Sequence, residues 1–290
     1  MSFVQRNITL QFNSNGNIDT INLSGLRTQV IVTNPGGNNS YGALTLKVYG
    51  MTLDQMNTYS SAGADFVAIS NQSITVSAGN VGAVPIQIFS GTIRRAYIDF
   101  GSLPDVAFVC EAVSGLFQKV NPIDSLQING NANAEDLIKT LAESNGLTFE
   151  NGIGENAAHY VLQNQYAEGS ALSQIETIAT SASFAFSLEN NRVYIWANGK
   201  NRDNVIIDLN QDTGMVGYPS YWAAGFVVKQ EFNASVLTGR QIKLSSIIPK
   251  SNGLWNIISN SHELSTVTPD GPWFTTSQLA TVGGLNVPQN

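Results

Sequence analysis

The sequence predicts a mainly β chain of the α+β class: two small antiparallel β-barrel or sandwich domains with an α+β insert between them. Three observations predict it. Apolar and polar residues alternate through residues 1–122 and again through 213–282, the period of half-buried strands. Between them, over 123–212, the spacing becomes that of amphipathic helices bounded by capping residues. Charged residues are only 12% of the 290, against about 25% in ordinary soluble proteins, and Gly, Asn, Ser and Thr take their place. That composition suits β-rich assemblies whose surfaces are covered by neighbours, and equally a weakly charged secreted or virion β protein.

In the first domain Ile8, Leu10 and Phe12 alternate with Asn7, Thr9 and Gln11, and Ser14-Asn15-Gly16-Asn17 turns the chain. Val30-Ile31-Val32 is a short buried run ended by Asn34-Pro35-Gly36-Gly37. Leu44, Leu46 and Val48 alternate with Thr45, Lys47 and Tyr49. Leu53 and Met56, three apart, predict one short helix before Tyr59. Further strands are predicted at 66–69, 73–76, 86–89 and 91–100, and another is opened by Pro104-Asp105-Val106 and runs through Glu111-Ala112-Val113-Ser114-Gly115.

After Pro122 the texture changes. Asn133 is a good N-cap, with Glu135 and Asp136 in the first turn, where the helix dipole favours acids. Leu137, Ile138 and Leu141 form a stripe, Gly146 suits the residue beyond the helix end, and 147–149 extends. The plan repeats: Ser170 caps, Leu172, Ile175, Ile178 and Ala182 form the stripe, and 184–188 with 193–196 reads as a hairpin.

Gly214, Gly217 and Pro219 mark the way into the last domain. Phe226, Val228 and Phe232 share one parity, Lys229 and Glu231 the other. Thr238-Gly239 turns the chain into a strand holding Ile242 and Leu244, a third strand spans 255–264, and a fourth starts at Trp273. Residues 283–290 have no periodicity and are expected to be a tail, unstructured or ordered by a partner.

Net charge is −7 and pI about 4.8, which excludes tight binding to a nucleic acid backbone. The charge is uneven. From Asp124 to Glu189 nine acids (Asp124, Glu135, Asp136, Glu143, Glu150, Glu155, Glu168, Glu176 and Glu189) face only Lys139, a sum of −8 that leaves +1 elsewhere. The simplest reading is a solvated helical face; the functional one is a wall repelling passing DNA phosphates, or a face matched to a basic neighbour.

The single cysteine, Cys110, permits no disulfide within the chain and sits in an apolar run, as a small buried thiol rather than a nucleophile. The first seven residues hold no apolar signal core, and no apolar run approaches the ~18 residues of a membrane helix, so no membrane insertion is expected.

The residues bearing on catalysis form no constellation. His159 and His262 lack the Cys or carboxylate spacing of a zinc site, and His262 shares parity with Ile258 and Leu264, as a core histidine would. Glu263 and Asp270 flank one turn, as an acid pair could. Gly36-Gly37 and Gly283-Gly284 lack the Lys-Ser or Lys-Thr of a phosphate loop. Arg94-Arg95, the only adjacent basic pair, would point to opposite faces of a strand and so form no patch. No catalytic, cofactor-binding or metal-binding residues are predicted, and no cofactor.

Several strings together resemble one family. They are Gly214-x-x-Gly217-Tyr218-Pro219, Gly225-Phe226-Val227-Val228, Gly239 to Ser246, Gly253-Leu254-Trp255-Asn256-Ile257, His262-Glu263-Leu264-Ser265 and Gly271-Pro272-Trp273-Phe274-Thr275. Leu23 to Arg27, Leu44 to Met51 and Glu111 to Gly115 add to them. In these the chain resembles the central hub proteins of bacteriophage tail baseplates, which are similar to the spike-base domains of type VI secretion. The resemblance implies a structural protein: a homotrimeric ring at the end of the tail tube, joined to the central spike or tip. Its partners would be its own copies, the tail tube protein, the spike or tip protein and other baseplate proteins, with DNA only as cargo passing through the lumen. It would be made in the host cytoplasm and reside in the virion. It also places Trp255 and Trp273 as core or inter-subunit anchors. Two other classes stand beside it: a tail-associated receptor- or carbohydrate-binding module, which exposed Trp or Tyr on a concave face would favour, and a cell-wall hydrolase, for which no lysin domain is left over in the 290 residues.

Overall fold

The computed structural model describes residues 5–13, 23–36, 41–60, 72–101, 103–152 and 160–281. The predicted turn at 14–17, the strand at 66–69 and the tail at 283–290 lie outside these.

The N-terminal region contributes strands β1 (Arg6–Asn13), β2 (Thr28–Asn34), β3 (Ala43–Tyr49), β4 (Ser73–Asn80), β5 (Ile86–Asp99) and β6 (Ala107–Val113), with helices α1 (Leu53–Tyr59) and α2 (Leu116–Val120). The middle holds β7 (Leu126–Gln127), β8 (Asn131–Asn133), α3 (Ala134–Ser144), β9 (Thr148–Asn151), β10 (Val161–Gln163), β11 (Tyr166–Ala167), α4 (Ala171–Ser181), β12 (Phe184–Glu189) and β13 (Arg192–Ala197). The C-terminal region adds β14 (Ile206–Leu209), β15 (Ser220–Trp222), β16 (Gly225–Glu231), β17 (Gln241–Leu244), β18 (Gly253–Thr266) and β19 (Trp273–Thr281).

The mainly β class holds, and the two β regions expected as separate small barrels or sandwiches share one large sheet. The N- and C-terminal strands form one 12-stranded sheet in the order β1-β4-β5-β6-β3-β2-β18-β19-β16-β15, with β17 on β18 and β14 on β17, and no closed barrel forms among the described strands. The physical reason is the length of β18. One of its edges pairs with β19 from Trp255 to Leu264. The other edge carries two strands end to end: β17 along 253–256 and, past a bulge at Ile257/Ser259, β2 along 260–266. A strand long enough for two partners on one edge makes a fork, and the fork fuses the two regions. Gly36, just beyond β2, lies in its crook. A Cβ there would sit 2.0 Å from the Ile258 carbonyl oxygen, so only glycine fits.

Three apolar clusters result. One fills the N-terminal region around Phe12, Phe89 and Phe108 and takes in Leu264 and Trp273 across the fork. A second joins α3 and α4 to the sheet β12-β13-β9, through Ile138, Leu172, Ile175, Ile178 and Phe186. A third, around Val228, Ile242, Ile257 and Leu279, backs the C-terminal strands.

Local signals explain most elements. Thr52 and Gln55 form a reciprocal capping box on α1. Asn133 and Ser170 cap α3 and α4 as the sequence predicts. Gly146, at φ 74°, ends α3 in a Schellman motif: its N–H reaches the Glu143 carbonyl at 3.2 Å, and that of Leu147 reaches the Ala142 carbonyl at 2.9 Å. Asn190 and Asn191, each at φ 58°, make the two-residue turn between β12 and β13. The two strands expected at 86–89 and 91–100 are a single strand, β5. Gly91 marks a close approach rather than a break, since a Cβ would lie 2.7 Å from the Val113 backbone.

Gly36→Ala is expected to destabilise the fold by about 3 kcal/mol or more, because the backbone itself must shift. Gly146→Ala meets nothing within 4 Å and bears only a left-handed backbone, about 1 kcal/mol. Denaturant midpoints of the two variants check the order; equal losses would contradict a tight fork.

Candidate functional site

The fork is also where the buried polar chemistry lies. On the covered face of the sheet, Val32, His262, Thr275 and Gln230 form one cross-strand row, and Asn34, Asn260, Ser277 and Val228 the next. The six polar members are 6% exposed or less. Asn34 Nδ2 donates to Asn260 Oδ1 at 3.0 Å, and His262 Nδ1 lies 2.9 Å from Thr275 Oγ1. The apolar row of Leu264, Trp273 and Phe232 bounds this layer on one side, and Ile257 with Leu279 bounds it on the other. Two apolar clusters therefore meet through a polar seam. His262 is the core histidine its parity predicts: burial lowers its pKa to about 4, and the edge-on ring of Phe232 is 5.4 Å away.

The two tryptophans flank this seam. Trp273 is 7% exposed, stands edge-on to Phe232 at 5.5 Å, and has the Arg6 guanidinium 5.2 Å from its ring centre. Trp255 is half-buried, packs edge-on to Phe226 at 4.9 Å, and donates Nε1–H to the Ser251 carbonyl at 2.8 Å. Both are held by packing and hydrogen bonds in the sheet, the core half of the expectation.

A second polar centre joins the middle region to the C-terminal strands. Arg202 and Glu189 form an ion pair at 3.0 Å, with side chains only 5% and 7% exposed. Ser187 Oγ and the Thr238 carbonyl lie 3.4 Å from the same guanidinium nitrogen, and the guanidinium rests 3.9 Å from the centre of the Tyr194 ring. Sequence reading counted Glu189 with a solvated acidic face, but it is a buried partner of Arg202. Glu150 is paired with Arg192, and Glu135 accepts from Asn151 Nδ2 at 2.7 Å. Asp124, Asp136, Glu143 and Glu168 are exposed. An open groove of about 400 Å³ beside α3 is lined by Glu135, Asp136, Lys139, Glu143, Phe149 and Asn151.

The remaining singled-out residues are not brought together. Among the described residues no group of three or more His, Cys, Asp or Glu could hold a metal ion. His159 and Glu155 lie outside the described residues. Glu263 and Asp270 are exposed. Cys110 is fully buried, and burial raises its thiol pKa, with Glu111 adding to the effect. Arg94 and Arg95 do not alternate: a bulge at Ile93/Arg95 leaves both exposed, Arg94 on Glu111 at 2.6 Å and Arg95 over the Tyr97 ring at 4.5 Å.

Periodicity missed the exposed apolar surfaces. At the β4–β5 hairpin tip Val81, Val84 and Ile86 are 56%, 88% and 56% exposed, and Gly82, Ala83 and Pro85 beside them are exposed too. Phe100 and Leu103 stand out at the far end of β5, and Tyr218 and Tyr221 near the edge strand β15. The run of six residues without a polar side chain was the available signal at the tip.

Trp273→Ala is expected to cost about 3–5 kcal/mol, and Trp255→Ala somewhat less for its smaller burial, read as lower thermal midpoints. Acid is expected to weaken the seam. Above pH 6.5, the ordinary histidine pKa, neither the folded nor the unfolded state protonates His262, and its contribution is complete. Between 6.5 and about 4 the unfolded chain gains a proton that the folded chain refuses, and stability falls by about 3 kcal/mol in all. His262→Gln removes that slope. Urea unfolding of wild type and variant at pH 7 and 4.5 checks it, and parallel pH profiles would contradict it.

The comparisons with known proteins agree with this geometry. The baseplate hub gp41 family matches residues 39–277. No curated protein matches the chain by sequence. Among solved structures, the 43 kDa tail protein of prophage MuSo2 from Shewanella oneidensis is similar with a TM-score of 0.60 at 9% identity, over 97% of this chain and 100% of that one. A tail protein from Neisseria meningitidis is similar with a TM-score of 0.62 at 9% identity, over 96% and 97% of the two chains. An Escherichia coli component of the type VI secretion system, described as structurally similar to the bacteriophage T4 tail proteins gp27 and gp5, has a TM-score of 0.53 at 9% identity, over 93% of this chain and 76% of that one. At such identities these structures establish a shared fold, and the family match across most of the length goes further: the chain belongs to the baseplate hub gp41 family, a structural component of the bacteriophage tail baseplate.

Proposed function

We propose that three copies of this chain form the hub ring at the end of the tail tube and join the tube to the central spike or tip. The observation that carries this reading is the family match over residues 39–277. Units at 1–122, 123–212 and 213–282, with an acidic middle unit set between two β units, belong to this reading; the three apolar clusters follow them in outline, with Leu264 and Trp273 joining the first cluster and Ile207 and Leu209 the third. If the β units of each chain play like roles, three chains give a pseudo-sixfold ring suited to a sixfold tube. The ring then contacts its own copies, the tube protein, the spike or tip protein and other baseplate proteins, and DNA passes through as cargo. The protein is made in the host cytoplasm, resides in the virion and performs no catalysis. Low overall charge and the exposed apolar hairpin tip fit a molecule covered by neighbours.

Native mass spectrometry of the assembled hub is expected to give a trimer, and a stable monomer or a sixfold ring of this chain would sink the reading. Val84→Asp at the tip is expected to leave the monomer's thermal midpoint within about 2 °C, as a surface change does, and to reduce incorporation into tails. Incubation with purified peptidoglycan is expected to release nothing above buffer. The exposed rings of Tyr218 and Tyr221 favour one other reading, a receptor- or carbohydrate-binding face. Replacing both by Ala with assembly intact and cell binding lost would select it.

A further inference from the structure

In this chain Asn15, Asn129, Asn145, Asn151, Asn198 and Asn252 each stand directly before a glycine. An asparagine can be converted when the backbone nitrogen of the next residue reaches its side-chain amide carbon, and glycine, with no Cβ, crowds that approach least. All six pairs are thus alike in local chemistry. The hydrogen bonds around each pair tell them apart, because attack needs a side chain free to rotate and a backbone N–H that is not already held. Asn15 lies outside the described residues.

Four of the others are held. The Gly130 N–H donates to Asn164 Oδ1 at 2.8 Å, which ties up the nitrogen after Asn129. Asn145 Nδ2 donates to the Leu141 carbonyl at 2.8 Å while the Gly146 N–H is committed to the Glu143 carbonyl, both at the end of α3. Asn151 Nδ2 donates to Glu135 Oε2 at 2.7 Å, and the Gly152 N–H to the Ile195 carbonyl at 2.8 Å. Asn252 Oδ1 accepts the Ser246 amide at 2.6 Å, and Gly253 opens β18 opposite Leu244.

Asn198 differs in each respect. It is exposed, and neither its side chain nor the Gly199 N–H has a partner among the described residues. The cause is the turn after β13. The Lys200 amide closes it onto the Ala197 carbonyl at 3.0 Å, and only its third residue, Gly199, has a positive φ, 74°, as in a type II turn. The closing bond uses the outer residues, so the peptide between Asn198 and Gly199 is left to solvent.

We propose that Asn198 is the site of spontaneous deamidation among these five pairs. The Gly199 nitrogen gives up its proton to solvent base and bonds to Asn198 Cγ; the Cγ–Nδ2 bond breaks and Nδ2 leaves as ammonia. The cyclic imide then takes up one water and opens at either carbonyl, to aspartate or isoaspartate, with no change of oxidation state. The turn gains a negative charge and, in the isoaspartyl product, one more main-chain carbon, close in sequence to the buried Arg202. At the four held pairs the reaction must wait for local opening, and opening that costs 1.4 kcal/mol or more slows it at least about tenfold.

The purified full chain, kept folded in mildly alkaline heavy-oxygen water and then digested, tests this by peptide mass spectrometry. The peptide holding Asn198 is expected to gain one heavy oxygen, to split into aspartyl and isoaspartyl forms, and to do so at least about tenfold faster than those of Asn129, Asn145, Asn151 and Asn252. An unmodified Asn198, or equal conversion at any of those four, overturns the proposal. In urea-unfolded chain the five are expected to react at similar rates; an undiminished lead for Asn198 there would overturn the part assigned to the turn. Asn198→Gln, an exposed change, is expected to abolish the product in that peptide, and its persistence would place the reaction at another residue.

Discussion

The fold depends on one strand with more edge than one partner can use. β18 has 14 residues, and its pairing with β17 takes 4 of them and its pairing with β2 takes 7. β2 is among the first elements of the chain, and Asn34 meets Asn260 across a separation of 226 residues. Closing that ladder therefore orders most of the chain between them, an entropic cost that only extensive pairing offsets. The bulge at Ile257/Ser259 and the bare Gly36 are the local adjustments that let two strands abut on a single edge. They also explain why the N-terminal cluster includes Leu264 and Trp273, which belong to the other end of the sequence.

Polar contacts at the joints set geometry more than they add stability. An ion pair as buried as Glu189–Arg202 loses in desolvation much of what it gains in attraction, yet removing one member strands the other, at roughly 3–5 kcal/mol. The Asn34–Asn260 amide pair works in the same way. A one-residue slip of β2 on β18 would turn Asn34 to the other face of the sheet and leave Asn260 without its partner, so the seam disfavours that register.

Charge and apolar surface are distributed differently. The exposed acids Asp124, Asp136, Glu143 and Glu168 belong to the middle region, whereas the β4–β5 hairpin tip is uncharged and the β5–β6 turn exposes Phe100 and Leu103 beside Asp105. The ends of β5, a 14-residue strand, are at most roughly 43 Å from one another at the rise of an extended strand, so apolar residues are presented at both its ends.

Where a local signal suffices, the sequence by itself determined the outcome. Alternation placed β1, β3 and β16; Asn133, Ser170 and Gly146 placed the ends of α3 and α4; parity buried His262. Each of these follows from neighbours a few residues away, the range over which periodicity and capping act. The strings around Trp255 and Trp273 likewise carried the family likeness. Tertiary structure alone decided the pairing of N- and C-terminal strands in one sheet, the burial of Glu189, the exposure of Ile86 and the joint outward placement of Arg94 and Arg95. It also decided short elements such as β14, whose parallel partner β17 lies more than thirty residues on. The physical reason is common to all of them. Which edge a strand finds, and whether a charge meets its partner, depends on contacts between residues far apart in the chain, and no local pattern records them.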